Sequence, residues 1–200
     1  MGSNTVSSMV RNFTFIVTAA LTFSFASLAC AGQKDFHDQD LTGKNFDNGS
    51  LNGADFSDAI LKQVHFDKAT LRHANFKGAD ISGVWFTGAD LTEADLSDTK
   101  GTSVNIRSHF DKAIIHGMDL HCNDCSFKGA DLRESKISGY IYNCDFSGAD
   151  LRGVNMRGMS VTAGGSDSNR WKGALYDDDT AWPEGFDPKA VGAIFKGSDK

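Results

Sequence analysis

Large apolar residues recur at every fifth position through the middle of the chain. From Phe36 the series runs Leu41, Phe46, Leu51, Phe56, Leu61, Phe66, Leu71, Phe76, Ile81, Phe86, Leu91 and Leu96, thirteen consecutive positions. An α-helix repeats every 3.6 residues and a strand every two, so neither has this period. Chance does not produce such a run in a chain that is 40% apolar. The residue two places earlier is often small, as at Ala54, Ala74, Ala79, Ala89, Ala94, Ala130 and Ala149. The residue directly before is often Asp or Asn, as at Asp55, Asn75, Asp80, Asp90, Asp95, Asp131 and Asp150. The two residues after are mostly polar or glycine. The unit is A-(D/N)-(L/F)-x-x, as in Ala54-Asp55-Phe56-Ser57-Asp58 and Ala89-Asp90-Leu91-Thr92-Glu93.

On these residues the sequence resembles the pentapeptide-repeat proteins over roughly residues 35–162. The resemblance implies an all-β fold, a right-handed quadrilateral β-helix with four pentapeptides per square coil. The large central residue and the small residue two before it would point inward, the other three outward. The residues fit a coil of this length, because positions 20 apart then stack. One wall reads Phe36, Phe56, Phe76, Leu96 and its opposite Phe46, Phe66, Phe86, Ile106. The other two read Leu41, Leu61, Ile81 and Leu51, Leu71, Leu91. Phenylalanine and leucine ladders on alternate walls explain why the chain holds 15 phenylalanines and only 3 tyrosines. Alanine is expected at the second inward position, where a close-packed interior leaves room for little else. Asp and Asn fit the corners, where a short side chain can hydrogen-bond the turning backbone.

The phase slips after Leu96. Position 101 is glycine, and Phe110, Ile115 and Leu120 run one residue early. Phe127, Leu132 and Ile137 set a new phase, and Phe146, Leu151, Met156 and Val161 another. The stretch from Ser97 to Asp124 is therefore expected to bulge or loop out of the coil. Residues 36–161 would make about six coils, a rod ~30 Å long at one strand spacing per coil.

Beyond Val161 comes a turn-rich break, AGGSDSN. Asp187-Pro188 reads as a helix start, with Asp at the N-cap and Pro in the first turn. A short helix over about 188–196, with Ala190, Val191, Ile194 and Phe195 on its apolar side, is expected. Residues 163–200 are read as a capping segment, since a bare β-helix end exposes unpaired strand edges. Trp171, Tyr176, Trp182 and Phe186 suit such a cover. Its G-A-x-Y-x-x-x-T-x-W-P-x-G-F-D-P run also resembles a segment at the end of some pentapeptide-repeat proteins, which implies a cap or docking element.

Residues 1–31 carry no acid and one base, Arg11, followed by an apolar run from Phe13 to Ala29 and the small-x-small exit Ala29-Cys30-Ala31. That is the layout of a secretory signal peptide. Its apolar run is short, and it contains Ser and Thr, for a membrane-spanning helix. Met9 would serve as an alternative start. Cys30 offers a lipidation site, but Ser27 stands where a lipoprotein signal wants leucine, with Leu28 one place late. Export places the chain in the periplasm or outside the cell.

The whole chain has 20 basic and 26 acidic residues, net −6. This balance argues against a nucleic-acid-binding surface. Lys62, Lys68, Arg72, His73 and Lys77 form one outward basic coil, read as a solvated face. Cys122, Cys125 and Cys144 remain after removal of the signal. Cys125 and Cys144 lie two before Phe127 and Phe146, so both are expected inward on adjacent coils. A stack of buried free thiols is the expected state, with a disulfide among the three as the alternative. His116, His121, Cys122 and Cys125 have ligand types that zinc accepts, but a single Cys-x-x-Cys pair is a weak signal. Asp177-Asp178-Asp179 lacks the spacing of a calcium loop. No nucleophile elbow, zinc-protease or phosphate-loop motif occurs. No catalytic, cofactor or metal residue is assigned.

The expected function is a non-catalytic scaffold or protein-interaction module of the cell envelope. Its partner would be a protein or a second copy of the chain, with no small-molecule substrate. Association at the N-terminal coil near Phe36 is one form this could take. A membrane enters only through lipid on Cys30. The resemblance supplies one rival, since some pentapeptide-repeat proteins mimic DNA and bind type II topoisomerases. Export would remove this chain from the cytoplasm. Residues 34–163 carry 14 basic and 19 acidic residues, net −5, which is modest for a duplex mimic with one charge per about 1.7 Å.

Overall fold

A computed structural model describes residues 34–101, 103–117, 119–160 and 168–197. The signal-peptide reading of residues 1–31 lies outside them. The chain winds as a β-helix in which each rung pairs in parallel with the next. Among the described residues the strands are short: β1 (Val84–Trp85), β2 (Ser103–Ile106), β3 (Asp119–Leu120), β4 (Cys122–Asn123), β5 (Lys136–Ile137), β6 (Gly139–Tyr140), β7 (Met159–Ser160), β8 (Leu175–Tyr176) and β9 (Ile194–Phe195). They pair as β1-β2-β4, β3-β5, β6-β7 and β8-β9. Isolated parallel bridges fill in the rest, such as Asp55↔Asn75, Ile60↔Asp80, His65↔Trp85 and Thr70↔Asp90. Bridges thus recur every five residues along the chain and join residues 20 apart, four to a coil.

Backbone bonds explain the period. Leu41 N–H donates to Ile60 O at 2.9 Å on the next coil, and Leu41 O then accepts from Lys44 N–H at 2.9 Å. The second bond closes a four-residue turn. At every fifth residue from Asp38 to Asp98, φ lies between +55 and +73°. That is the left-handed third position of a type II turn. Each unit is therefore one bridge residue, one inward residue and one tight corner.

The inward columns fill the core. Phe36, Phe56 and Phe76 stack at 4.8 and 5.0 Å, and Phe46, Phe66 and Phe86 at 5.3 and 5.5 Å. The two ladders meet edge to face across the interior, as at Phe56–Phe66 (5.3 Å, 78°). Edge-to-face contact suits the ring quadrupole. Ala54, Ala59, Ala69, Ala74, Ala79, Ala89 and Ala94 are buried in the small slot beside them.

The register changes above residue 100. Offsets fall from 20 to 19 at Asp90↔His109 and Asp95↔Ile114, then to 17 at His109↔Ser126 and Ile114↔Asp131. They return to 19 at Ser126↔Asp145 and widen to 25 at Asp145↔Arg170. The loop expected over Ser97–Asp124 is corrected accordingly: its described residues stay in the ladder, on shortened coils. Because Trp85 pairs with Val104, the register sets Asn105 rather than Ile106 above Phe86. The 19-residue step also places Phe110 above Leu91, since Leu91 N–H donates to His109 O at 2.7 Å. The aromatic column moves to that wall and continues through Phe127, Phe146 and Trp171 at 5.2, 5.1 and 4.5 Å.

The helix expected over 188–196 is absent. Asp187 does accept the N–H groups of Lys189 and Ala190, at 2.9 and 3.3 Å. One turn follows, closed by Ala193 N–H to Pro188 O at 2.9 Å. The chain then enters β9, which pairs with β8 through Leu175↔Ile194 and Tyr176↔Phe195. Strand pairing to a ready ladder edge prevails over the N-cap signal because the run is too short for a self-supporting helix. The C-terminal segment adds rungs at Arg170, Leu175, Ala181 and Ile194. Trp182 and Phe186 stack at 4.9 Å, each edge-on to Trp171.

Candidate interaction surface

The outward side chains fall into a tied majority and an untied minority. Most bridge-position Asp and Asn residues fold back on their own corner. Asp55 accepts the N–H and hydroxyl of Ser57 at 3.0 and 2.6 Å, and Asp80 treats Ser82 and Asp90 treats Thr92 in the same way. These bonds hold the Asp55 carboxyl below its usual range, Ser57 contributing most. Higher in the coil arginine takes part. Burial pushes the Asp145 carboxyl up, but Ser147 and Arg170 outweigh it and hold it down at about 2. Asp131, clamped by Arg133 at 2.9 and 2.7 Å and met by His116 at 2.9 Å, is also held at about 2 against its burial.

The basic coil is largely neutralised. Lys62 pairs with Asp80 (3.2 Å), Arg72 with Asp90 (3.3 Å), His73 with Glu93 (3.1 Å) and Lys77 with Asp98 (3.9 Å). Four of the five bases meet an acid on the following coil, so the row is largely a paired face.

The candidate metal ligands do not assemble as a zinc set. His121 Nε2 lies 2.7 Å from Ser138 Oγ, and His116 lies on Asp131. Cys122 and Cys125 form a disulfide with Cα atoms 6.1 Å apart. This corrects the expected stack of free thiols: Cys144 alone keeps a buried thiol. Asp177 of the acidic run is a structural acceptor for the N–H groups of Gly153, Asp179 and Thr180 at 3.0, 3.1 and 2.9 Å. Two surface groups, His37 with Asp38 and Asp58, and Asp47 with His65 and Asp67, bring ligand-type atoms within 4.8 Å. Their atoms are spent in part on the coil: Asp47 Oδ1 accepts Asp67 N–H at 2.8 Å and Asp67 Oδ1 accepts Thr87 N–H at 3.0 Å.

Among the outward side chains without such ties are large apolar ones. Trp85 is 46% exposed and Tyr142 60%, and both occupy bridge positions, which on many other rungs hold Asp, Asn, Thr or Ser; Ile60 and Ile114, also bridge residues, are 40% exposed. They share one ladder, which runs Asn45, His65, Trp85 and Val104 through β1 and β2, then Ile106, Asn123 and Tyr142 through β4. The His65 and Trp85 rings lie 4.5 Å apart, tilted by 48°. Gly43, Gln63, His65, Gly83 and Trp85 line a groove of about 430 Å³ along the adjoining corner. The two corner glycines leave its floor low, and Trp85 forms one wall.

The pentapeptide-repeat profile matches in eight copies over residues 35–66, 50–88 and 141–160. The chain belongs to the pentapeptide-repeat family. Proteins of this family form right-handed β-helices. Full-length QnrB1, a plasmid-mediated fluoroquinolone resistance protein, is similar in fold (TM-score 0.52) at 18% identity, over 82% of this chain and 80% of that one. HetL, a pentapeptide repeat protein of Nostoc sp. strain PCC 7120 involved in heterocyst differentiation regulation, is 21% identical over 73% of this chain and 77% of its own, with TM-score 0.44. A pentapeptide repeat protein of the Arabidopsis thaliana thylakoid lumen is 30% identical over 61% of this chain and 71% of its own, with TM-score 0.19. No curated protein sequence matches the chain.

Within this pentapeptide-repeat chain, the residues that reading the repeat passed over are Trp85 and Tyr142. The signal that finds them is positional: a bulky ring directly before the inward residue, where the repeat asks for a short polar group.

Proposed function

We propose that the chain is a non-catalytic, exported module of the cell envelope, a four-sided rod that docks a protein partner or a second copy on its Trp85 face. The single observation that carries this reading is the exposed Trp85 beside its groove, in a bridge position where many other rungs carry an Asp or Asn folded back on its own corner. Aromatic side chains flanked by polar rims are what interfaces concentrate. Family membership supports it, because pentapeptide-repeat proteins are generally structural or interaction modules. The charge pattern and apolar run of residues 1–31 support export.

The test is expression of the full chain with a C-terminal tag, cell fractionation, and intact mass of the product. A soluble envelope species lacking about the first 31 residues is the expected result. A lipid mass on Cys30 would move the chain to a membrane surface. An uncleaved cytosolic product would overturn export and make topoisomerase inhibition the next assay. Crosslinking in the fraction that holds the protein should then yield a species that Trp85→Ala loses. Equal crosslinking by both forms would remove the Trp85 face from the proposal.

A further inference from the structure

Three cysteines converge where the short coils give way to wider ones. Cys122, Cys125 and Cys144 are all buried, and their Sγ atoms lie within 4.8 Å of one another. The disulfide joins Cys122 to Cys125 within one coil, while Cys144 keeps its thiol on the coil above. Cys125 and Cys144 stand in register: Asp145 N–H donates to Cys125 O at 2.9 Å, and Ser126 and Asp145 form a parallel bridge. A parallel rung sets stacked Cα atoms about 4.8 Å apart, within the span a disulfide accepts.

We propose that the three cysteines form a thiol–disulfide exchange site, in which Cys144 displaces Cys122 from Cys125 and turns a link within one coil into a staple between two. The Cys144 thiolate attacks Cys125 Sγ. The Cys125–Cys144 bond forms as the Cys122–Cys125 bond breaks. Cys122 leaves as a thiolate and takes up the proton that Cys144 released. Nothing is oxidised or reduced overall, so no external oxidant is needed.

Two features hold the site in its intra-coil form. Stacked side chains keep their Cβ atoms near the rung spacing, longer than a disulfide prefers. The Cys144 thiol is also hard to ionise. Burial pushes it up to about 11, with Asp124 on the coil below adding to the shift and Arg170 on the coil above opposing it. The thiol lies 3.5 Å from the carbonyl oxygens of Cys122 and Tyr142, to which it donates. At neutral pH roughly one molecule in ten thousand carries the attacking thiolate. The staple would fix the rung directly beneath the 25-residue step at Asp145↔Arg170.

Trypsin separates the two states. Cleavage at Lys112, Lys128, Lys136 and Arg152 puts Cys122 and Cys125 on peptide 113–128 and Cys144 on peptide 137–152. The full-length protein is incubated, quenched in acid, alkylated in denaturant and digested without reductant. Wild type at about pH 7 should give an internally bonded 113–128 peptide and an alkylated Cys144. The cross-linked pair should appear about a hundredfold faster at about pH 9. Cys122→Ser, treated with oxidised glutathione, should yield the cross-linked pair as its main product. The proposal is overturned if folded Cys122→Ser leaves Cys144 alkylated throughout. It is equally overturned if wild type gives no cross-linked pair at the higher pH, an arm that stands whether or not the variant folds.

Discussion

The coils below residue 100 and those above it solve the same packing problem with different tolerances. Below, every step is 20 residues, two phenylalanine ladders face each other, and most corners close with their own Asp or Asn. Above, steps of 19, 17 and 25 residues follow one another, and a single aromatic ladder ends in Trp171. Disulfide chemistry and arginine–aspartate clamps through two guanidinium nitrogens appear only in this upper part among the described residues, whereas Arg72 below meets Asp90 through one. What persists across both is the inward column and the parallel rung. The fold is fixed by those two features, and coil length is free to vary where the column still closes. At Gly101 the chain passes close over Ser82 of the coil below, exposed and at φ +90°, and the coil shortens directly after it.

The largest effect should come from breaking the ladders. Phe66 touches four rings, stacking on Phe46 and Phe86 and meeting Phe56 and Phe76 edge-on. Phe127 touches two, Phe110 and Phe146. Both are buried. Phe66→Ala should cost about 4–5 kcal/mol and Phe127→Ala about 3 kcal/mol, the range for emptying a buried phenylalanine site. Urea denaturation followed by circular dichroism measures both. A larger loss at Phe127 would mean that the upper ladder, not the facing pair below, carries the core.

Glycine substitutions sharpen the boundary between the two regions. A Cβ at Gly101 would lie 2.8 Å from the Ser82 backbone nitrogen and Cα, whereas one at Gly43 would meet nothing within 4 Å. Both residues have positive φ. Gly43→Ala should cost about 1 kcal/mol, the left-handed penalty alone. Gly101→Ala should cost about 2–3 kcal/mol, since backbone must also move. Equal shifts in thermal midpoint would show that the junction relaxes freely.

Acid should remove the most stability from the upper coils. Asp145 is buried, with Arg170 Nε 2.9 Å from its carboxylate, and its pKa is lowered from 3.8 to about 2. A carboxylate depressed by folding contributes stability above its unfolded pKa and loses it as pH falls through the folded value. The contribution is about 2 kcal/mol, present above about pH 4 and gone below about pH 2. Wild type should exceed Asp145→Asn in stability at about pH 5, and the gap should close toward about pH 2. A gap that does not change with pH would assign the loss to packing.

The sequence displays the lower coils almost completely. Its five-residue period, the alternation of phenylalanine and leucine walls and the corner role of residues such as Asp55 and Asp90 are all local patterns. The upper coils are harder to read because register is a relation between coils. Phe110 looks one residue early along the chain, yet it sits squarely above Leu91 once a coil loses a residue. The rungs at Leu175 and Ile194 are hidden by the 25-residue step beneath them, and Asp187-Pro188 advertises a helix that the waiting ladder edge overrides. The disulfide is obscured for a related reason: the repeat aligns Cys125 with Cys144, 19 residues on, whereas its bonded partner Cys122 lies three residues away in the same coil. Trp85 is visible in the sequence only after the bridge position is known to be outward.

Surface ion pairs should separate the regions least. Lys62 reaches Asp80 with one contact at 3.2 Å, and its side chain is 53% exposed. Arg152 grips Asp150 through Nε at 3.0 Å and Nη2 at 2.9 Å within one corner, and its side chain is 21% exposed. An exposed single contact is worth little because water screens it and two long side chains must be held. Lys62→Ala should therefore change stability by less than about 0.5 kcal/mol, and Arg152→Ala by about 1 kcal/mol. Raising salt to about 0.5 M should erase the first difference and leave most of the second, since screening acts on open pairs more than on fixed hydrogen bonds. Thermal unfolding of both variants at two salt concentrations measures this. If Lys62→Ala costs as much as Arg152→Ala, the inter-coil pairs of the lower region are structural ties, and its stability rests on more than its ladders.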